Sequence, residues 1–135
     1  MKFLASVLLL LLAVETVESS EKADKYIDAL QGMLTRLVKS HNRDHIDRRV
    51  AHDAYALECN DKKFHKTQIV EDFVKYTHTK NAEVFVKYAK IITKQGAKTK
   101  VLADLETVNN GQNYKALFLL DNNKFVLQRV EKQGC

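Results

Sequence analysis

Between Glu21 and Lys39 the apolar residues recur at steps of three and four, from Ala23 and Tyr26-Ile27 through Leu30, Met33-Leu34 and Leu37-Val38. That spacing lays one apolar stripe along a helix. Gly32 weakens such a helix by about 1 kcal/mol relative to alanine without ending it. Ser40-His41-Asn42 interrupts the stripe. Asn42 or Asp44 can then cap a second, shorter helix reaching about Ala51, with Ile46 and Val50 as its buried positions, four apart.

Past His52-Asp53 the pattern changes. Ala54–Cys59 reads as a short strand, Asn60-Asp61 as a turn, and Phe64 lies just beyond. Thr67 can cap a third helix over Gln68 to about His78, with Ile69, Val70, Phe73, Val74 and Tyr76 in or near its apolar face. From Ala82 onward β-branched and aromatic residues form four runs: Glu83–Lys94, Lys98–Val108, Asn113–Asp121 and Lys124–Glu131. Gln95-Gly96, Asn109-Asn110-Gly111 and Asp121-Asn122-Asn123 separate them, and Gly and Asn tolerate the positive φ that hairpin turns require. Consecutive hairpins make an antiparallel meander, and helices followed by strands predict the α+β class. Proline is absent and only four glycines occur, so nothing marks an internal linker or a second domain.

The first residues follow a different rule. Lys2 precedes an apolar run from Phe3 to Val14, which ends before Glu15 and Glu18, and small residues follow around Ser19. Positive, apolar and small-residue segments in that order predict a signal peptide over residues 1–19, with Thr16 as the alternative cleavage position. A membrane-spanning helix needs about 20 apolar residues, more than this run supplies. Cleavage after Ser19 leaves 116 of the 135 residues, one domain over 20–135, secreted and extracellular. The formal charge of +5 becomes +6, because Lys2 leaves together with Glu15 and Glu18. The lysines are spread along the chain without a basic cluster interleaved with aromatics, so no nucleic-acid partner is expected.

In an oxidising compartment Cys59 and Cys135, 76 positions apart, are expected to form an intramolecular disulfide; an intermolecular bond through the terminal Cys135 is the alternative. No Asn-x-Ser/Thr sequon occurs. His41 and His45 are four apart, but they straddle the predicted helix start and no further pair completes a ligand set, so no metal and no cofactor are expected. His52-Asp53 are adjacent and do not make a base with its orienting carboxylate.

Three stretches carry a resemblance to a known family. Val50 through Glu58, with Asp53-Ala54 inside it, resembles the passage from second helix to first strand in the NTF2-like superfamily, the relatives of nuclear transport factor 2 and ketosteroid isomerase. Phe64-His65-Lys66-Thr67-Gln68-Ile69-Val70 is similar to its second strand and third helix, and Asn113 through Val130 to its closing hairpin. A cysteine on the first strand and another at the C-terminus are similar to an uncharacterised nematode group of secreted members. The resemblance implies three N-terminal helices packed on a curved antiparallel sheet, a cone (NTF2-like or cystatin-like) that often leaves a pocket. It also implies that the strands bearing Cys59 and Cys135 lie near each other.

The isomerase branch of that superfamily uses a tyrosine on the first helix, a carboxylate base at the end of the first strand and a protonated aspartic acid on a late strand. Tyr26 and Glu58 fall at the first two places, while Lys115 or Ala116 stands at the third. Losing one oxyanion donor costs about a hundredfold to a thousandfold in rate. The expected role is therefore non-catalytic, binding a small apolar ligand in the cone or a protein partner on the sheet, with a second copy of the chain among the partners left open. The alternative is an enzyme of isomerase or cyclase type using Tyr26 and Glu58. A cystatin-type inhibitor is not expected, since the chain has neither proline nor tryptophan and Gln95-Gly96 sits in no Gln-x-Val-x-Gly motif.

Overall fold

The computed structural model describes residues 24–134, so the predicted signal peptide and Cys135 lie outside the described residues. Helix α1 covers residues 24–40 and buries Leu30, Met33, Leu34 and Val38, the stripe that the spacing predicts. Asn42 caps α2 (Arg43–Arg48), its side chain accepting from the amides of Asp44 and His45 at 2.9 and 3.3 Å. The cap satisfies two amides that the first turn leaves without intrahelical acceptors.

The second helix ends earlier than expected. Val50 is buried, but it opens strand β1 (Val50–Glu58) rather than closing α2. A turn of 3-10 helix (Cys59–Asp61) leads to β2 (Lys62–His65), and α3 runs from Lys66 to Thr77. Its N-cap is His65, with no side-chain capping bond, so Thr67 lies inside the first turn instead of capping it. The ion pairs Arg43–Glu71 and Lys66–Asp47 (3.6 Å) hold α2 against α3. Both lie at the surface, with Lys66 half-buried, and such pairs add little stability.

Strands β3 (Val84–Gln95), β4 (Lys98–Thr107), β5 (Gln112–Asp121) and β6 (Lys124–Lys132) form the expected meander, within a residue of the predicted ends. In the β5–β6 hairpin Asn122 and Asn123 both have positive φ (50° and 62°), the backbone of a two-residue hairpin turn. The sheet order is β2-β1-β6-β5-β4-β3. One feature corrects the sequence reading: the sheet is mixed, because β1 pairs with β6 in parallel, Ala56 opposite Val130 and Leu57 opposite Glu131. The helices also do not all precede the sheet, since β1 and β2 come before α3.

Register shifts between Val86 and Tyr88, Ile91 and Thr93, and Leu117 and Phe118 mark places where one strand carries an extra residue. Such bulges bend and twist a sheet, and this one curves around α1 and α3. Alternation places Val101, Ala103 and Leu105 on the concave face, where they join Leu30 and Met33 in the main core. A second cluster, Ile46, Val50, Ala54 and Val70, packs α2 and α3 onto β1.

Gln31 fastens α1 to the sheet edge. Its side-chain amide donates to the carbonyl of Val84 (2.8 Å) and accepts from the amide of Val86 (2.7 Å), satisfying backbone groups on the outer side of edge strand β3. Among the described residues no helix is long and apolar enough to cross a membrane.

Candidate functional site

A rung of small side chains crosses the concave face. Ala56, Val130, Ala116, Ala103 and Ala89 are successive register partners from β1 to β3. Ala103 and Ala89 lie in the core with Leu30 and Met33, where the helix closes over them. Ala56, Ala116 and Val130 instead line a cavity of about 280 Å³. Small residues under the arch of a curved sheet leave space that the helices do not fill. The floor is apolar, with Leu34, Leu105, Phe118 and Leu127 among its walls. Drug-sized ligand pockets run from about 300 Å³ upward, so this one suits a small molecule.

Polar groups stand at one end. Glu58 closes β1 one residue past the Leu57–Glu131 pair, Lys132 closes β6 one residue past the same pair, and Lys132 pairs with Tyr114 on β5. All three line the cavity, joined by Asp72 from α3 and by Asn110. Burial raises the Tyr114 phenol above its ordinary pKa, and the nearby Glu58 and Asp72 carboxylates push it further the same way. The group is therefore a neutral phenol near pH 7. Asn110 accepts from the Thr107 hydroxyl and from the Gln112 amide, a bond of 3.3 Å, which fixes the rim of the β4–β5 turn. Tyr76, also lining the cavity, is committed elsewhere: its hydroxyl accepts from the Glu83 amide (3.0 Å) and lies 2.7 and 2.8 Å from the carbonyls of Glu83 and Val108.

The two residues singled out by the sequence take different positions. Glu58 is at the cavity, exposed at its edge. Tyr26 packs against the main core and is not among the residues lining the cavity, so the two are not brought together there. At the third place Ala116 faces the cavity and Lys115 is exposed, so neither supplies an acidic donor. Cys59 follows β1, and its partner in the expected disulfide, Cys135, lies outside the described residues. The five histidines are exposed, with the rings of His41 and His78 in edge contact at 5.3 Å. Among the described residues no group of three or more His, Cys, Asp or Glu side chains could hold a metal ion.

Tyr114, Asp72, Lys132 and Arg49 line the cavity without having been picked out by sequence. For Tyr114 a signal existed: strict alternation puts Tyr114, Ala116 and Phe118 on one face of β5. For Asp72 and Arg49 no local pattern points inward.

Comparison with known proteins adds the fold. No family model matches the chain, and no curated protein matches it either. Among solved structures, one described as "Rd1NTF2_05 with long sheet" has a TM-score of 0.60 at 15% identity, covering 83% of this chain and 95% of that one. The fold is NTF2-like. An NTF-2 like protein of unknown function from Silicibacter pomeroyi gives 0.57 at 10% identity, over 82% and 96% of the two chains. A de novo designed protein with a curved β-sheet gives 0.53 at 10% identity, over 76% and 94%. At these identities the likeness concerns the NTF2-like fold alone, and one fold hosts many functions.

Proposed function

We propose that this NTF2-like domain binds a small, largely apolar ligand in the cavity under its sheet and performs no catalysis on it. The observation that carries this reading is the cavity itself: an apolar space of about 280 Å³, walled by Ala56, Ala116 and Val130 where larger side chains would have filled it. Weighing against the enzyme alternative, Tyr26 lies outside the cavity wall, and Ala116 supplies no acid at the place where a second oxyanion donor would be required.

The test is titration with the neutral fluorescent probe N-phenyl-1-naphthylamine, which brightens in apolar surroundings. The chain contains no tryptophan, so the background is low. The reading expects saturable binding by the wild type and its loss in Ala56→Phe, a substitution at a partly exposed wall position. Circular dichroism checks that this variant keeps its fold. Equal binding by a folded Ala56→Phe, or no binding by the wild type, would overturn the reading.

A second reading, a protein partner on the sheet, draws on Phe85, Tyr88 and Ile92, which stand exposed along edge strand β3. Self-association measured by light scattering and abolished by Tyr88→Lys would favour it.

The same proposal includes secretion after cleavage behind Ser19 and a Cys59–Cys135 disulfide. In support of the disulfide, β1 and β6 run in parallel with Leu57 opposite Glu131, so extending that register sets Cys59 opposite Gln133, two residues from the C-terminus. The narrower likeness to a secreted nematode group rests on these two cysteine positions. N-terminal sequencing of secreted product tests the cleavage, and a cytosolic product retaining Met1 would contradict it.

A further inference from the structure

Beside the apolar cavity lies a second space of about 200 Å³, bounded by α1 and by the β5–β6 hairpin. The two spaces share Met33 and Arg49 in their walls. The smaller one also carries Arg36 from α1 and Lys124 from the hairpin, against a single carboxylate, Asp28. Among the described residues the ion pairs are Arg43–Glu71, Lys66–Asp47 and Lys87–Glu106, so Arg36, Arg49 and Lys124 have no carboxylate partner there. The second space, which adjoins the cavity at Met33 and Arg49, therefore has an excess of two positive charges.

The other end has the opposite character. Glu58 and Asp72 stand around Tyr114, with Lys132 offsetting one of them. Between the ends, Tyr114 and Phe118 line the cavity four residues apart on β5, a span of roughly 13 Å. The cavity is thus polarised along its length, with acidic groups at one end, arginine at the other and apolar walls between them.

We propose that the ligand is a single-chain amphipathic anion of medium length, its apolar chain in the cavity and its carboxylate head at Arg49, Arg36 and Lys124. This rests on the binding reading given above and specifies its ligand. A guanidinium offers a planar pair of donors that matches a carboxylate, and Arg49 is half-buried beside apolar surface, where water competes less with such a bond. Glu58 and Asp72 repel the same head at the far end, so one orientation is selected. A positive domain surface also favours encounter with an anion.

The experiment measures displacement of N-phenyl-1-naphthylamine by decanoate, decanol and decylamine near neutral pH, below their micellar concentrations. It compares the wild type with Arg49→Gln, Lys124→Gln, the double variant, and Lys115→Gln as an exposed control away from the cavity. Charge-assisted hydrogen bonding predicts decanoate about tenfold tighter than decanol in the wild type and in Lys115→Gln. Decylamine should be the weakest of the three. The decanoate advantage should shrink in each single variant and vanish in the double variant, where Asp28 offsets the remaining Arg36, while unchanged decanol affinity shows that the variants fold. Equal affinity for decanol and decanoate in the wild type, tighter binding of decylamine, or an advantage that survives in the double variant would each overturn the proposal and leave the binding reading standing. Failure of all three compounds to displace a bound probe overturns this proposal alone, and failure of the probe to bind overturns both.

Discussion

The hydroxyl of Tyr76 fastens α3 to the sheet, and its removal is a sharp test of how the arch is held. It accepts from the Glu83 amide at 3.0 Å and shares its proton between the carbonyls of Glu83 (2.7 Å) and Val108 (2.8 Å). In Tyr76→Phe the Glu83 carbonyl still accepts from the Val108 amide at 2.9 Å. The Glu83 amide and the Val108 carbonyl lose the partner that the hydroxyl gave them. One net hydrogen bond is worth about 1 kcal/mol, and a partly buried backbone group left unsatisfied adds to that, so the expected cost is about 1–2 kcal/mol. For a domain of this size that lowers Tm by roughly 4–8 °C. The assay is thermal unfolding followed by circular dichroism, with Tyr26→Phe as the matched control. Tyr26 also loses a hydroxyl, but no hydrogen bond of that hydroxyl is found among the described residues, and it should shift Tm by less than half as much. Equal shifts in the two variants, or no shift in Tyr76→Phe, would refute the reasoning.

Gln31→Leu keeps the helix and removes both bonds to the β3 edge, so it should cost about 1–3 kcal/mol in chemical denaturation; a loss below about half a kcal/mol would mean that water replaces the amide without penalty. Tyr114 has a raised pKa in the folded state, so between its unfolded value near 10.0 and the higher folded value the unfolded chain binds fewer protons, and stability falls as pH rises through that window. Tyr114→Phe should flatten this part of the alkaline Tm profile, and an unchanged slope would contradict the assignment. For the proposed disulfide, intact mass under non-reducing conditions should lie about 2 Da below the reduced value and Cys59→Ser should lose on the order of 4 kcal/mol; two titratable thiols in freshly secreted protein would contradict it.

The late strands were legible because two signals coincide there. Alternation marks each run, and Asn or Gly stands at each turn, so the ends of β3 to β6 are recovered to within one residue. The junction of α2 and β1 is ambiguous in the sequence because Val50 satisfies two patterns. It lies four residues from Ile46, as a helical neighbour would, yet it also pairs with Leu127 on β6. The parallel pairing of β1 with β6 leaves no local trace at all. It follows from the chain passing through β2 and α3 to the far edge of the sheet before the meander returns. The site divides in the same way. Glu58 was found by resemblance, and Tyr114 was readable from the face it shares with Ala116 and Phe118. Arg49, at the end of α2, and Asp72, on α3, reach the cavity only because the bulged sheet curls over those helices.

The central claim is that a ligand occupies the space under the sheet. The most direct test is methyl-resolved NMR of the domain titrated with N-phenyl-1-naphthylamine. Met33, Leu34, Leu105 and Leu127 line the cavity, whereas Leu102 and Leu117 alternate onto the opposite face of the same strands. Binding in the cavity gives saturable shifts at the first four, with Leu102 and Leu117 unmoved. Shifts confined to Leu102 and Leu117, or no saturable shift at any methyl, would contradict it.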